Sequence, residues 1–326
     1  MKFSTFNQLP LYTDDFFYRA FDNLTIKDAI VVHNPQDALI TSPVFLRSTK
    51  TLEEHIAEIQ EKNVKKAHIV ADDISFLRRC PGLEYIMVYP AVTAKDFDYS
   101  PLYDMPNLKY VVCGTTAGLK DEHVASVDYS RIKGIQHLVI SHAWGHQNVA
   151  DAGEVTSLIF DFGYPKAGDL RDILPGGNLR SFAVCQAPIH SLDGIEDAPK
   201  LQRLKLSNNR RLTDISALRH LKETLAFLEI DTCGKIRDFS ALSELHNLEY
   251  LILKGSNPVQ DLSFLNHMPK LKYLHFTMNA ENGDLTPCLP LEYVRIQNRK
   301  HYSHKDSDMP KTYTDPDEAF PFTVIL

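Results

Sequence analysis

The chain has 326 residues, 44% hydrophobic, 24% charged and 10% aromatic, proportions of a folded chain that exclude disorder over most of its length. Its 42 acidic and 35 basic residues leave a formal charge of −7, which excludes a nucleic-acid binder working through a general positive field. No run approaches the roughly 18 apolar residues of a membrane-spanning helix.

Met1 to Pro10 carries one positive charge and no apolar stretch, and Asp14 and Asp15 follow at once. No signal peptide is expected, and the chain is assigned to the cytoplasm. Residues 1–63 open with Phe3, Phe6, Phe16, Phe17, Tyr18 and Phe21. Ala29-Ile-Val-Val32 and Pro43-Val-Phe-Leu46 read as strands. Leu52, His55, Ile56 and Ile59 have helical spacing behind a capping box, Thr51-Leu-Glu-Glu54. Lys65 to Ala71 reads as a further strand, completing a strand–helix–strand unit. This region is expected to cover the first exposed repeat, with a module of separate binding role as the alternative.

From residue 83 the pattern apolar-x-x-apolar-x-apolar recurs ten times, opening at Leu83, Leu108, Ile135, Val155, Leu179, Leu201, Leu225, Leu248, Leu271 and Leu291. The fourth and sixth positions lie two apart, so they point to one side of a short strand. One repeat cannot bury its own leucines, but stacked neighbours can, and the stack is a solenoid with a parallel sheet. The returns Asp214-Ile-Ser-Ala-Leu218, Asp238-Phe-Ser-Ala-Leu242 and Asp261-Leu-Ser-Phe-Leu265 are near copies, with Asp73-Ile-Ser-Phe-Leu77 a fourth. Their Ser is expected to cap a short helical turn.

Leu201-Gln-Arg-Leu204-Lys-Leu206-Ser-Asn-Asn209, followed by Leu212, Ile215, Leu218 and Leu221, resembles a leucine-rich repeat, more narrowly the short 22-residue class of bacterial internalins. Asn209, Cys233 and Asn279 stand where that family places the Asn or Cys that bonds the turn after the strand. Other copies carry Ala91, Thr116, Ala143, Gly163, Ala187 and Ser256 there and depart from the pattern. The resemblance implies an α/β solenoid: a horseshoe with one long parallel sheet on its concave face and short helical or 3-10 turns on its convex face. The N-terminal α/β cap is assigned to 1–63, the solenoid to 64–298 and a C-terminal cap or tail to 299–326. The family's habit is protein binding.

If positions one, four and six point inward, positions three, five and seven line the concave sheet. Six of the ten third positions are aromatic: Tyr85, Tyr110, Phe227, Tyr250, Tyr273 and Tyr293. The candidate partner-binding residues are Tyr85, Met87, Tyr89 and Tyr110 in the N-terminal half. In the C-terminal half they are Arg203, Lys205, Phe227, Glu229, Tyr250, Lys254, Tyr273, His275, Tyr293 and Arg295. Tyr, Met and Arg are residues that interfaces favour. Aromatics on a sheet also stabilise neighbouring strands, the competing reading of the same columns. After residue 299 the chain is polar until Ala319-Phe-Pro-Phe-Thr-Val-Ile-Leu326, read as a lid on the last repeat or an edge-pairing strand, with a recognised C-terminal peptide as the weaker alternative.

The sequence has no G-x-x-x-x-G-K-[ST], G-x-S-x-G, H-E-x-x-H or G-x-G-x-x-G. The nearest constellation is His137, His142, Trp144 and His146, which lies after a strand in a loop containing Gly145. The five cysteines are widely spaced with no C-x-x-C pair, as free thiols in a reducing compartment would be. The sequence therefore points to a monomeric, non-catalytic protein-binding module. It is expected to bind no cofactor, metal, nucleic acid or membrane. An enzyme or metal site in the N-terminal region or the His137–His146 loop is one rival, and a carbohydrate or peptidoglycan binder is another.

Overall fold

The computed structural model describes residues 30–33, 50–91, 94, 96–114, 126–141, 145–161, 165 and 167–312. The aromatic run before residue 22, the expected strand Pro43–Leu46 and the apolar stretch 319–326 lie outside the described residues. The chain forms two compact units, one within Asp14–Asp161 and one within Phe162–Leu326.

The first unit begins with β1 (Ile30–His33), helix α1 (Leu52–Glu61) and β2 (Lys66–Ala71). The expected capping box is present: the Glu54 N–H donates to Thr51 Oγ1 at 3.3 Å, and the Thr51 N–H donates to Glu54 Oε2 at 2.7 Å. The helix buries His55, Ile56 and Ile59, three of the four residues its spacing marked, while the fourth, Leu52, is 43% exposed at the first turn. β1 and β2 pair in parallel, Ile30 opposite Ala67, so this is a strand–helix–strand crossover. Next come β3 (Tyr85–Pro90), β4 (Tyr110–Cys113), β5 (Val127–Asp128), β6 (His137–Ser141), β7 (His146–Gln147) and β8 (Ser157–Asp161). β1-β2-β3-β4-β6-β8 lie side by side in a parallel sheet, and β5 and β7 form a separate two-stranded ladder.

The second unit contains β9 (Ser181–Cys185), β10 (Arg203–Ser207), β11 (Phe227–Asp231), β12 (Tyr250–Lys254), β13 (Pro258–Val259), β14 (Tyr273–Phe276), β15 (Asn279–Ala280) and β16 (Tyr293–Ile296). β9-β10-β11-β12-β14-β16 pair in parallel, and β13 and β15 make a short ladder of their own.

All ten repeat copies open their strand at the third position of the sequence pattern. The fourth and sixth positions face the core: Leu204, Leu206, Leu228, Ile230, Leu251 and Leu253 are fully buried. Leu218 and Leu242, from 3-10 turns at Ser216–Leu221 and Ser240–Glu244, are fully buried with them. The parallel register matches position to position, Phe227 opposite Tyr250 and Tyr250 opposite Tyr273.

The turns correct one expectation. The capping acceptor is the Asp two residues before the Ser, not the Ser itself. Asp73, Asp98, Asp128, Asp214, Asp238 and Asp261 each take the N–H of the Ser two residues on, at 2.8–3.1 Å. Asp284 does the same for Thr286 at 2.9 Å. A carboxylate is a stronger acceptor than a hydroxyl for a donor left without a helical partner. The Ser hydroxyls of Ser75, Ser100 and Ser130 instead donate to their Asp.

Past the strands, buried Asn209 acts as the resemblance implies. Its Oδ1 accepts the Ala187 N–H and its Nδ2 donates to the Val184 carbonyl, both at 2.9 Å. Cys233 Sγ lies 3.7 Å from the Leu206 carbonyl as a donor. In the next repeat the buried Asn of the turn is Asn257, one residue past Ser256, and it bonds differently: it donates to the Cys233 and Ile236 carbonyls at 2.8 and 3.1 Å, and its Oδ1 has no hydrogen-bond partner among the described residues. Gly255, with φ 131°, adds one residue to the turn and displaces the Asn by one. Asn279 makes no comparable pair: its Oδ1 has no hydrogen-bond partner among the described residues, and Tyr302 Oη bridges the Met278 carbonyl and the Ala280 N–H instead. After β16 the chain turns back, and Lys311 pairs antiparallel with Tyr293 on the edge of the last strand.

Candidate functional site

Strand alternation puts positions three, five and seven on the sheet side away from the leucine core. The first unit there carries Tyr85, Met87, Tyr89 and Tyr110. Tyr85 and Tyr110 lie 6.1 Å apart between ring centroids, and Tyr110 lies 6.0 Å from His137. Two further residues, unmarked by sequence reasoning, come from β2: Lys66 Nζ stands 5.3 Å over the Tyr85 ring, and the His68 ring lies 5.7 Å from Tyr89. Their signal was in the sequence, since Val64, Ala67 and Ile69 repeat the apolar spacing one copy upstream. A Cβ on Gly114 would stand 2.1 Å from the Tyr89 ring, so the bare backbone there makes room for that side chain. Burial pushes the Tyr89 hydroxyl up to about 12.

The second unit carries the other ten candidates. Tyr250, Tyr273 and Tyr293 form an aromatic ladder on adjacent strands, with centroids 6.2 and 5.2 Å apart and the last two rings 3° from parallel. Phe227 stands opposite Tyr250 in register at the other end. Beside the ladder Glu229 accepts from two lysines, Lys205 at 3.5 Å and Lys254 at 3.2 Å. Burial opposes ionisation of Glu229, but Lys205 and Lys254 outweigh it and hold the carboxyl below its ordinary value. Arg203, also buried, has its guanidinium lowered to about 10 by desolvation. His275 is lowered to about 4 by desolvation, then by Lys254 and Arg295.

The exposure of this face differs from expectation. Tyr250 was expected to be substantially exposed, yet it is 4% exposed, Phe227 and Tyr273 are 1%, and Glu229 is 2%. Tyr85, Tyr89, Lys254, Tyr293 and Arg295 are half-buried, and Met87, Tyr110, Arg203, Lys205 and His275 are buried. The register holds, because the aromatics and charges share one side and the leucines the other. Strand alternation fixes the side a residue takes and not what covers that side, so exposure is not readable from one repeat.

Of the rival site's histidines, the described His137 and His146 have separate partners. The His137 ring lies tilted beside Tyr110, and burial lowers its pKa. His146 Nδ1 is 2.8 Å from the Tyr129 hydroxyl, with the two rings stacked. His142 and Trp144 lie outside the described residues. Among the described residues no group of three or more His, Cys, Asp or Glu side chains could hold a metal ion, and no helix is long and apolar enough to cross a membrane.

Repeated parallel strands, 3-10 returns and the Asn and Cys turn bonds together make the architecture leucine-rich-repeat-like. No known family and no curated protein matches the sequence. Among solved structures the chain is similar to internalin C2 from Listeria monocytogenes, with a TM-score of 0.41 and 17% identity, covering 56% of this chain and 75% of that one.

Proposed function

We propose that the chain is a non-catalytic module that binds another protein through the sheet side opposite its leucine core. The observation that carries this reading is the Tyr250–Tyr273–Tyr293 ladder beside the Lys205–Glu229–Lys254 cluster. A soluble domain gains more core stability from an apolar face than from desolvated charges, so a structural role alone does not account for four cations placed there. Aromatics with few rotors to freeze, ringed by charge, are the composition of interface hot spots. Strands fixed by a leucine core hold these side chains in place, so little entropy is lost on binding.

The test is affinity capture by the full chain from lysate of its native organism, run beside Tyr293→Ala and Arg295→Glu. Both residues are half-buried on the last strand of the sheet, so both variants are expected to melt like the parent. A protein retained by the parent and lost by both variants supports the reading. Equal retention by all three, or none by the parent, sinks it.

A further inference from the structure

The first unit buries a titratable ring with no hydrogen-bond partner on either nitrogen. His55 lies on α1 beside Ile56 and Ile59 and is 2% exposed. Its Nδ1 and Nε2 are both closed to solvent, and neither has a hydrogen-bond partner among the described residues. A neutral imidazole carries one N–H, so one donor is left unsatisfied in the fold. An apolar side chain would fill the same face without that cost. Protonation worsens the fit, because the ring then carries two unsatisfied N–H groups and a charge.

The charged groups around the ring do not compensate. Burial first, and then Lys50, disfavour the charged ring, and Glu58 and Glu54 do not offset them, so its pKa lies below 6.5. Among the neighbouring elements, β1 carries His33, opposite Val70 in register. β2 carries Lys66 and His68, which lie against Tyr85 and Tyr89. The 3-10 turn Ser75–Arg79 carries Arg78, paired with Asp104, and Arg79, paired with Glu53.

The other ties of α1 keep their charge in mild acid. Glu53 meets Arg79 through two contacts of 2.7 Å, and Gln60 Nε2 donates to the Arg79 carbonyl at 2.8 Å. These ties are exposed, where such pairs contribute little. Three carboxyls of the helix are held below their ordinary value: Glu53 by its bonds from Arg79, Glu54 by the Thr51 N–H and hydroxyl, and Glu58, to about 2, by Lys50 and Lys62. All three stay ionised between pH 7.5 and 5.5, the window in which a free histidine takes up its proton.

We propose that His55 is an acid-operated latch at the N-terminal end of the sheet: its uncharged ring keeps α1 closed there, and its protonation releases the helix and bares Ile56 and Ile59. The sign follows from the lowered pKa. The closed helix is fully stable above pH 6.5, where the ring is neutral in both states. It loses stability as pH falls below that value, because the released ring takes the proton more readily than the buried one. An apolar helix face is thus exposed in mildly acidic surroundings and hidden at neutral pH. The latch is independent of the sheet side proposed for partner binding.

Hydrogen exchange of the full chain, read by mass spectrometry at pH 7.5 and 5.5, tests this. The rate for a peptide covering α1 is divided at each pH by that of the same peptide without structure, which gives the opening equilibrium of the helix. In the parent that equilibrium should rise severalfold, up to about tenfold, on acidification, since one proton is taken up with each opening. In His55→Leu, with no proton to take up, the rise should be lost. No rise in the parent overturns the proposal. So does a rise in His55→Leu as large as the parent's, which would assign the titration to His33 or His68. Should His55→Leu not fold, His55→Gln, polar but never charged, decides by the same comparison.

Discussion

His275 shows how a side chain that aligns with the ladder becomes pH-sensitive. Desolvation, with Lys254 and Arg295 close by, lowers its pKa from 6.5 to about 4, so it stays neutral in the fold at pH values where the unfolded chain is protonated. Its contribution is whole above pH 6.5 and is lost as pH falls toward 4, to a total of about 3 kcal/mol. Glu229, also held below its ordinary value, loses its contribution only below pH 4.5, so the two windows barely overlap. Chemical denaturation between pH 7 and 5 should therefore show falling stability, and His275→Gln should flatten part of that fall; a variant with the parent's slope would mean His275 is not the group responsible. The thiols divide by the same physics. Burial raises Cys113 and Cys288 to about 12 and Cys233 to about 11, and all three are closed to solvent. Cys185 is half-buried, so it should be labelled first by a thiol reagent in the native state, and the other four, buried Cys80 among them, only on unfolding.

At the level of the repeat, two substitutions separate the packing from the turn. Leu251→Ala removes a fully buried side chain between neighbouring strands and should cost about 2–5 kcal/mol in urea denaturation. Asn209→Ala leaves the buried Ala187 N–H and Val184 carbonyl without their bonds, at about 1–3 kcal/mol for each orphaned group. Asn279→Ala, lacking that pair, should cost clearly less; equal losses at the two positions would mean the turn bonds do not carry the difference. The Leu251 core position, the strand start at Tyr250 and the Thr51 capping box were legible in the sequence because each depends on spacing within one element. Asn257 was displaced by Gly255, an insertion visible only once the backbone turns there. The turn-capping Asp was passed over for its Ser because both are good caps, and reach decides between them. Burial of the outward face was illegible for a different reason: alternation fixes the side Tyr250 takes, while its 4% exposure depends on what packs over that side from elsewhere in the chain.

For the protein as a whole, the sheet side proposed for binding is also part of what holds the second unit together, so its residues do not separate into structural and functional sets. Tyr273 sits between Tyr250 and Tyr293 and is 1% exposed, and burial raises its hydroxyl well above the ordinary value. Removing that ring opens a gap in the middle of the ladder, and Tyr273→Ala should cost about 3 kcal/mol of stability, as a large buried aromatic does. Among the described residues Tyr293 has a strand neighbour on one side and the edge segment with Lys311 on the other, and it is half-buried. Tyr293→Ala should therefore cost under about 1 kcal/mol of stability, since less area leaves solvent when it folds. Its effect on a partner should be larger, about 2 kcal/mol if Tyr293 is an anchor, because a half-buried ring is one a partner can still cover. The measurement is a pair of thermal melts beside calorimetric titrations of a captured partner. A Tyr293→Ala chain that melts as the parent and binds about thirtyfold weaker fits this division of labour. A chain that loses stability and binding in proportion would show that the ladder acts on the partner only through the fold.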